Sequence, residues 1–183
     1  PAASAVSDLT VKQMFDEANG YIRMKAAEFD AKRVPFSDDL FKRTKLEQRQ
    51  MAARYATLVG LRKVLTVDDK YYFGMLHWIA ENYDGAATVL QAFISNAESE
   101  ATKRQTARSV VTVVLAKQKK LEEAEVVFAD YSKSEPAKMT ERSRMSGEMA
   151  KAYQAAKDYK RMAPHAEAGY NASKALLKDA SSR

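Results

Sequence analysis

The stretch from Asp69 to Pro136, with the residues that follow it, repeats one pattern. Residues 69–90 read DKYYFGMLHWIAENYDGAATVL, residues 107–128 read ARSVVTVVLAKQKKLEEAEVVF, and residues 145–166 read MSGEMAKAYQAAKDYKRMAPHA, so successive copies lie 38 residues apart. The aligned packing positions are Gly74, His77, Tyr83, Ala86 and Leu90; then Thr112, Leu115, Leu121, Ala124 and Phe128; then Ala150, Tyr153, Tyr159, Met162 and Ala166. A fixed period of this length is typical of stacked supersecondary units.

The composition is that of a helical globular protein. The chain has 183 residues, of which 46% are hydrophobic and 30% charged, enough for one core or a short array of repeats. Only 6 Gly and 4 Pro residues occur, which favours long helices. With no Cys, these residues form no disulfide, thiolate metal site or thiol nucleophile. No apolar run approaches the roughly 18 residues of a membrane span, so we expect none.

The net charge of +6 raises the question of an anionic partner. The 30 basic residues are interleaved with 24 acidic ones along most of the chain, a pattern typical of a solvated helical surface. The basic cluster Lys42–Arg49 is the best candidate for phosphate contacts, but Glu47 dilutes it and Phe41 is its one aromatic neighbour. A basic helical nucleic-acid-binding protein therefore remains the alternative interpretation, and we expect nucleic acid not to be the partner.

The first part of the chain, residues 8–66, predicts a long helical hairpin after a flexible start at 1–7. Asp8 or Thr10 can cap its first helix, which Pro35 ends because the residue before a proline avoids helical angles. Ser37 provides the next N-cap, and the second helix is predicted from Leu40 to Leu65.

Residues 67–178 predict three helix pairs, over 69–97, 103–133 and 140–177, followed by a flexible tail at 179–183. Thr66, Asn82 and Asp158 supply start signals. Val110–Leu115 also fits a buried strand, and the repeat register favours a helix. Pro164 either kinks the last helix or marks its start.

The repeat resembles the tetratricopeptide repeat. The residues that match that family are Gly74, Tyr83 and Ala86 in the first unit; Ala124, Phe128 and Pro136 in the second; and Ala150, Tyr153 and Tyr159 in the third. The period exceeds the family's usual length of about 34 residues, and Lys70, Arg108 and Ser146 stand where the family has Trp. The resemblance covers about 69–177. It implies an all-α fold, an α-α superhelix of antiparallel helix pairs with about three TPR-like repeats, forming one structural domain with the hairpin.

The resemblance also implies that the first helix of each pair lines a concave face that binds partners. Aromatic, apolar and basic side chains at such positions suit an extended or helical peptide. The candidates are Tyr71, Met75, Trp78, Val113, Lys117, Arg144, Lys151 and Gln154. In the alternative interpretation, helix 40–65 covers Tyr71, Met75 and Trp78 as ordinary core. Lys117, Arg144 and Lys151 would then be the better contact candidates.

The sequence contains no pattern typical of catalysis. We expect His77 to be a core histidine and His165, which follows Pro164, to be exposed. Neither has the spacing of a zinc site, and no phosphate-binding or nucleophile motif occurs, so we expect no cofactor, metal, small-molecule substrate or enzymatic activity.

These observations together predict a non-catalytic helical-repeat scaffold that binds a protein or peptide. The small residues Pro1-Ala2-Ala3-Ser4-Ala5 are typical of a position just after signal-peptide cleavage and equally of a trimmed linker. The first interpretation favours an exported or periplasmic location slightly over a cytoplasmic one. By analogy with similar arrays, we expect one domain of a longer protein, N-terminal to a thioredoxin-like or other catalytic domain.

Overall fold

The computed structural model describes residues 9–181, with side chains as far as Asp179, and this part of the chain contains helices and no strand. The helices are α1 (Val11–Ala31), α2 (Asp38–Gly60), α3 (Val67–Ile79), α4 (Tyr83–Ile94), α5 (Ala101–Lys117), α6 (Leu121–Ser132), α7 (Met139–Ala155) and α8 (Tyr159–Ser181). The predicted all-α class is confirmed. The predicted flexible start, residues 1–7, lies outside the described residues.

The chain divides into two compact units, of which one ends at Val89 and the other begins at Leu90. In the first unit, α1 and α2 pack on each other and both pack on α3. In the second, α5 packs on α6 and α7, and α7 packs on α8. Successive helices therefore pair in α1–α2, α5–α6 and α7–α8, and α4 contributes residues to both units.

The core of the first unit lies at one end of the α1–α2 hairpin. Val11, Met14 and Ala18 recur at steps of three and four along α1, so they share a face. They pack on residues from the last part of α2 and on one from α3, namely Ala52, Tyr55, Ala56, Val59 and Leu76. At 1.5 Å per residue, α1 and α2 are about 30 Å long and α3 about 20 Å. The core residues lie before Ile22 in α1 and after Thr44 in α2. The other end of the hairpin, from Ile22 to Thr44, therefore extends beyond the core.

One backbone turn recurs with the period of the sequence repeat. Glu81, Lys119 and Lys157 follow the first helix of each pair and have left-handed φ values of 56°, 62° and 58°. After each of them, the next residue donates its N–H to a carbonyl five residues back, at 2.9 Å, 2.9 Å and 3.0 Å. This is the Schellman motif, which satisfies carbonyls at a helix end. The 38-residue period is therefore present in the local backbone as well as in the side chains.

Most predicted helix starts are confirmed by their capping hydrogen bonds. Thr10 and Thr66 each form a capping box, and Ser37 Oγ accepts from the N–H of Leu40. Asn82 Oδ1 and Asp158 Oδ1 accept from backbone N–H groups three residues ahead, both at 3.1 Å. These side chains satisfy donors that the first helical turn leaves free.

Some helix boundaries differ from the prediction. α2 ends at Gly60 rather than Leu65, and Leu61 and Val64 beyond it are exposed. Val110–Leu115 lies within α5, so the helical interpretation is confirmed. α8 begins before Pro164 and continues through it to Ser181, so Pro164 does not mark a helix start. Residues 179–181 of the predicted tail belong to this helix, and residues 182–183 lie outside the described residues.

Candidate binding groove

A groove lies between the C-terminal ends of α5 and α7 in the second unit. Its volume is about 370 Å³. Its apolar lining comes from Ala116, Leu121, Ala152 and Ala155, and its charged lining from Lys117, Lys119, Lys151 and Glu148. The alanines have short side chains, which leaves room between the two helices. The groove therefore combines an apolar floor with three cations and one anion.

Glu148 is held by two of these lysines. Lys151 Nζ donates to its Oε1 at 2.8 Å, and Lys117 Nζ lies 3.2 Å from its Oε2. Burial opposes ionisation of Glu148, but the hydrogen bonds from Lys151 and Lys117 outweigh it, and the pKa of this carboxyl lies below its ordinary value. Glu148 is therefore ionised at neutral pH, and its carboxylate occupies the place between the lysines where an acidic ligand would fit.

Lys119 adds the third positive charge of the groove. Its left-handed φ of 62° follows from its place in the turn after α5. Its side chain is exposed and has no ion-pair partner in the part of the chain that the structure describes. A cation just beyond a helix C-terminus also interacts favourably with the helix dipole. The groove therefore keeps a net positive charge after Glu148 is counted.

The structure brings two of the predicted contact residues, Lys117 and Lys151, together in this groove. Arg144 and Gln154 lie on the same helix as Lys151 and are exposed, and Arg144 Nη2 donates to Ser109 Oγ at 2.8 Å. Val113 is 1% exposed and does not line the groove. Glu148 was missed, because its second lysine comes from a neighbouring helix that is distant in sequence.

The other predicted contact residues, Tyr71, Met75 and Trp78, lie in the first unit. Tyr71 is buried, whereas Met75 and Trp78 are half-buried. These three share one side of α3. A different side of α3 faces the core: Leu76 belongs to the core, and Tyr72, Phe73 and Ile79 pack against the core. Tyr71 contacts the Tyr72 ring edge-on, with centroids 5.2 Å apart. Whether this side of α3 binds a partner stays a prediction.

His165 is buried, so the prediction that it is exposed is wrong. Its Nε2 lies 2.7 Å from Glu125 Oε1, and Tyr153 Oη donates to the same oxygen at 2.8 Å. The imidazole stacks on the Tyr153 ring and meets Phe128 edge-on, with centroids 5.7 Å and 5.2 Å away. The physical reason for the error is that the enclosing side chains come from two other helices. These contacts pack α8 against α6 and α7.

A second buried polar cluster also escaped the sequence analysis. Tyr131 Oη donates to Glu141 Oε2 at 2.8 Å and accepts from the Lys138 N–H at 2.8 Å. Thr106 Oγ1 donates to the other oxygen of the same carboxylate at 2.8 Å. Glu141 is therefore buried with both oxygens satisfied, and it connects α5, α6 and α7.

Comparisons with models of protein families, with curated proteins and with solved structures find no match. What the structure itself defines is an all-α protein with paired helices and a cationic groove. In the described residues, no helix combines the length and the apolar character needed to cross a membrane.

Proposed function

We propose that this chain is a helical-repeat scaffold whose α5–α7 groove binds an extended protein segment bearing Asp or Glu side chains. The observation that carries the proposal is the position of Glu148 between Lys117 and Lys151. An acidic side chain of a partner could replace that carboxylate, while its apolar neighbours cover the alanine floor. The third cation, Lys119, adds attraction for a negatively charged segment.

In this groove, Glu148 competes with an acidic ligand for Lys117 and Lys151. While its carboxylate holds both lysines, part of their hydrogen-bonding capacity is used. Removing that negative charge should therefore strengthen the binding of an acidic segment, whereas reversing either lysine should weaken it. If substitution of Glu148 and substitution of its lysines have opposite effects on affinity, the acidic segment binds at this specific site. General attraction of an acidic segment to a basic protein would not depend on the position of the substituted residue.

The test begins with selection of binding sequences from a displayed library of random peptides. We expect the enriched peptides to contain Asp or Glu beside an apolar residue. The affinity of one such peptide is then measured by fluorescence anisotropy. Lys117→Glu and Lys151→Glu should each weaken binding about tenfold or more, and Glu148→Gln should strengthen it. Lys133→Glu is the matched control. Lys133 is exposed at the end of α6, and its substitution changes the net charge by the same amount as Lys117→Glu or Lys151→Glu.

Two results would contradict the proposal. One is that no acidic sequence is enriched, and the other is that Lys133→Glu weakens binding as much as Lys151→Glu. A basic nucleic-acid-binding protein would instead retain random DNA or RNA with an affinity that falls steeply with salt. The same variants, measured on both types of ligand, separate these two functions.

A further inference from the structure

A second groove lies at the free end of the α1–α2 hairpin, remote from the core of the first unit. We call this end the hairpin tip, comprising residues 22–44. The groove has a volume of about 210 Å³, and apolar side chains form most of its lining: Ile22, Phe29, Val34, Phe36, Leu40 and Phe41. It differs from the α5–α7 groove in place and in chemistry, since it belongs to the other unit and has one charged lining residue, Asp30, instead of four.

Large apolar side chains are concentrated around this groove and exposed to solvent. Phe36 is 77% exposed, Phe41 42% and Val34 40%. The rings of Phe36 and Phe41 are neighbours, with centroids 6.1 Å apart. Single exposed apolar residues are common on protein surfaces, but several around one groove are typical of an interface.

Charge restricts what the hairpin tip can bind. Asp30 lines the groove, and Arg33 lies three residues further on, in the turn after α1. Both are exposed, and neither has an ion-pair partner among residues 9–179. Residues 22–44 carry six basic and four acidic side chains, so an anionic membrane or a nucleic acid would meet four carboxylates at the tip as well as the cations. A fitting partner carries a bulky apolar side chain close to a positive charge.

The turn of this same hairpin meets that description. It presents Phe36, the most exposed aromatic ring of the tip, three residues after Arg33. We therefore propose that the hairpin tip binds the hairpin tip of a second copy of this chain. Phe36 of each copy enters the groove of the other, and Arg33 of each copy pairs with Asp30 of the other. A two-fold axis makes both contacts reciprocal.

The contact is small, so association should be weak and dependent on concentration. Sedimentation velocity of the intact chain, between about 10 μM and about 1 mM, should show a shift from monomer to dimer. Phe36→Ser should abolish the shift without changing the thermal unfolding, because the ring is exposed. Val64→Ser is the matched control: Val64 is 83% exposed, belongs to the same unit and lies outside the tip, so its dimerisation should be unchanged.

A charge exchange tests the pairing itself. Asp30→Arg places two arginines opposite each other and Arg33→Asp places two aspartates opposite each other, so each variant alone should be monomeric. An equimolar mixture of the two variants should form the dimer again, because every Arg then meets an Asp. Aspartate tolerates the left-handed backbone of position 33, so the substitution should not disturb the turn.

A wild-type chain that stays monomeric at about 1 mM would overturn the proposal, as would a mixture that does not associate. Binding of the monomer to anionic phospholipid vesicles that depends on Phe36 would also overturn it and would assign the tip to a lipid surface. Lys151→Glu should leave dimerisation unchanged, so this proposal and the peptide-binding function fail or succeed separately.

Discussion

The imidazole of His77 lies directly against the backbone of Gly85, where α3 and α4 approach each other. A Cβ at position 85 would lie 2.7 Å from Nδ1 and 2.9 Å from Cγ of that ring. The Gly85 N–H donates to Asn82 Oδ1, which leaves the Asn82 amide nitrogen 3.1 Å from the same Nδ1. Burial lowers the pKa of His77, so the ring is neutral at pH 7. His77 thus packs on α4, but it is half-buried rather than part of the core that the sequence predicts for it.

Gly85→Ala should therefore destabilise the protein by about 1–3 kcal/mol, because the new methyl group overpacks a ring that its neighbours hold in place. Urea unfolding followed by circular dichroism measures the change. Gly20→Ala is the matched control, since a Cβ there meets nothing within 4 Å, and it should stabilise by about 0.5–1 kcal/mol. Equal effects of the two substitutions would contradict the contact.

The turn residue Lys157 offers a stabilising substitution. A non-glycine residue with φ near 58° pays a steric cost that glycine avoids. Lys157→Gly should raise the free energy of unfolding by about 0.5–1 kcal/mol. Glu167→Gly, at an exposed position inside α8, is the control and should lower it by about 1 kcal/mol. A loss of stability in Lys157→Gly would mean that the turn does not need a left-handed residue.

Ala124 tests the register of the repeat. It is fully buried in α6, at the position where a small residue lets two helices approach. Ala124→Leu should cost about 1–3 kcal/mol by overpacking, as should Ala86→Leu at the equivalent buried position in α4. Ala163→Leu, on the exposed side of α8, should change the melting temperature little. An unchanged melting temperature in both buried variants would argue against the 38-residue register.

Tyr131 predicts a loss of stability at alkaline pH. Burial raises the pKa of Tyr131 to about 12, with a further contribution from Glu141 and an opposing one from the Lys138 N–H. The unfolded chain loses this proton near pH 10, the ordinary value for tyrosine. The native state therefore binds more protons between pH 10 and 12. The contribution of Tyr131 to the free energy of unfolding is fully present below pH 10. It falls above pH 10, by up to about 1.4 kcal/mol per pH unit.

Tyr131→Phe separates the effect of Tyr131 on stability at alkaline pH from the effects of the other tyrosines. At pH 7 it should destabilise by about 1–3 kcal/mol, because buried Glu141 loses a donor. Above pH 10 the difference between the variant and the wild type should narrow, since phenylalanine has no proton to lose. Urea unfolding measured at pH 7 and at pH 11 gives both values. A difference that does not depend on pH would contradict the burial of this hydroxyl group.

The features that the sequence predicted well depend on neighbouring residues. Thr10, Ser37 and Asp158 cap helices through bonds to groups three residues away, so each is visible in a short segment. The end of α2 was misplaced because Leu61 and Val64 continue the apolar pattern, although both are exposed in the structure. A pattern shows which residues could be buried, but not which of them have a neighbour to pack on.

The features that were missed depend on contacts between distant helices. Glu125 lies 40 residues before His165, and no local property of either residue indicates that they meet. Glu148 and Lys151 are close in sequence, but the contact with Lys117 that completes the groove requires α5 and α7 to be neighbours. The recurrent turn was also hidden, because Glu81, Lys119 and Lys157 stand where glycine would be expected.

Because that turn recurs every 38 residues, it marks a segment that could be duplicated as a whole. Residues 119–156 begin at one left-handed position and end just before the next. A tandem duplication of this segment would place Lys119 again where Lys157 stands, so both junctions would keep a lysine in the conformation that the turn requires. A duplication of this length would add two helices while every helix keeps its own boundaries.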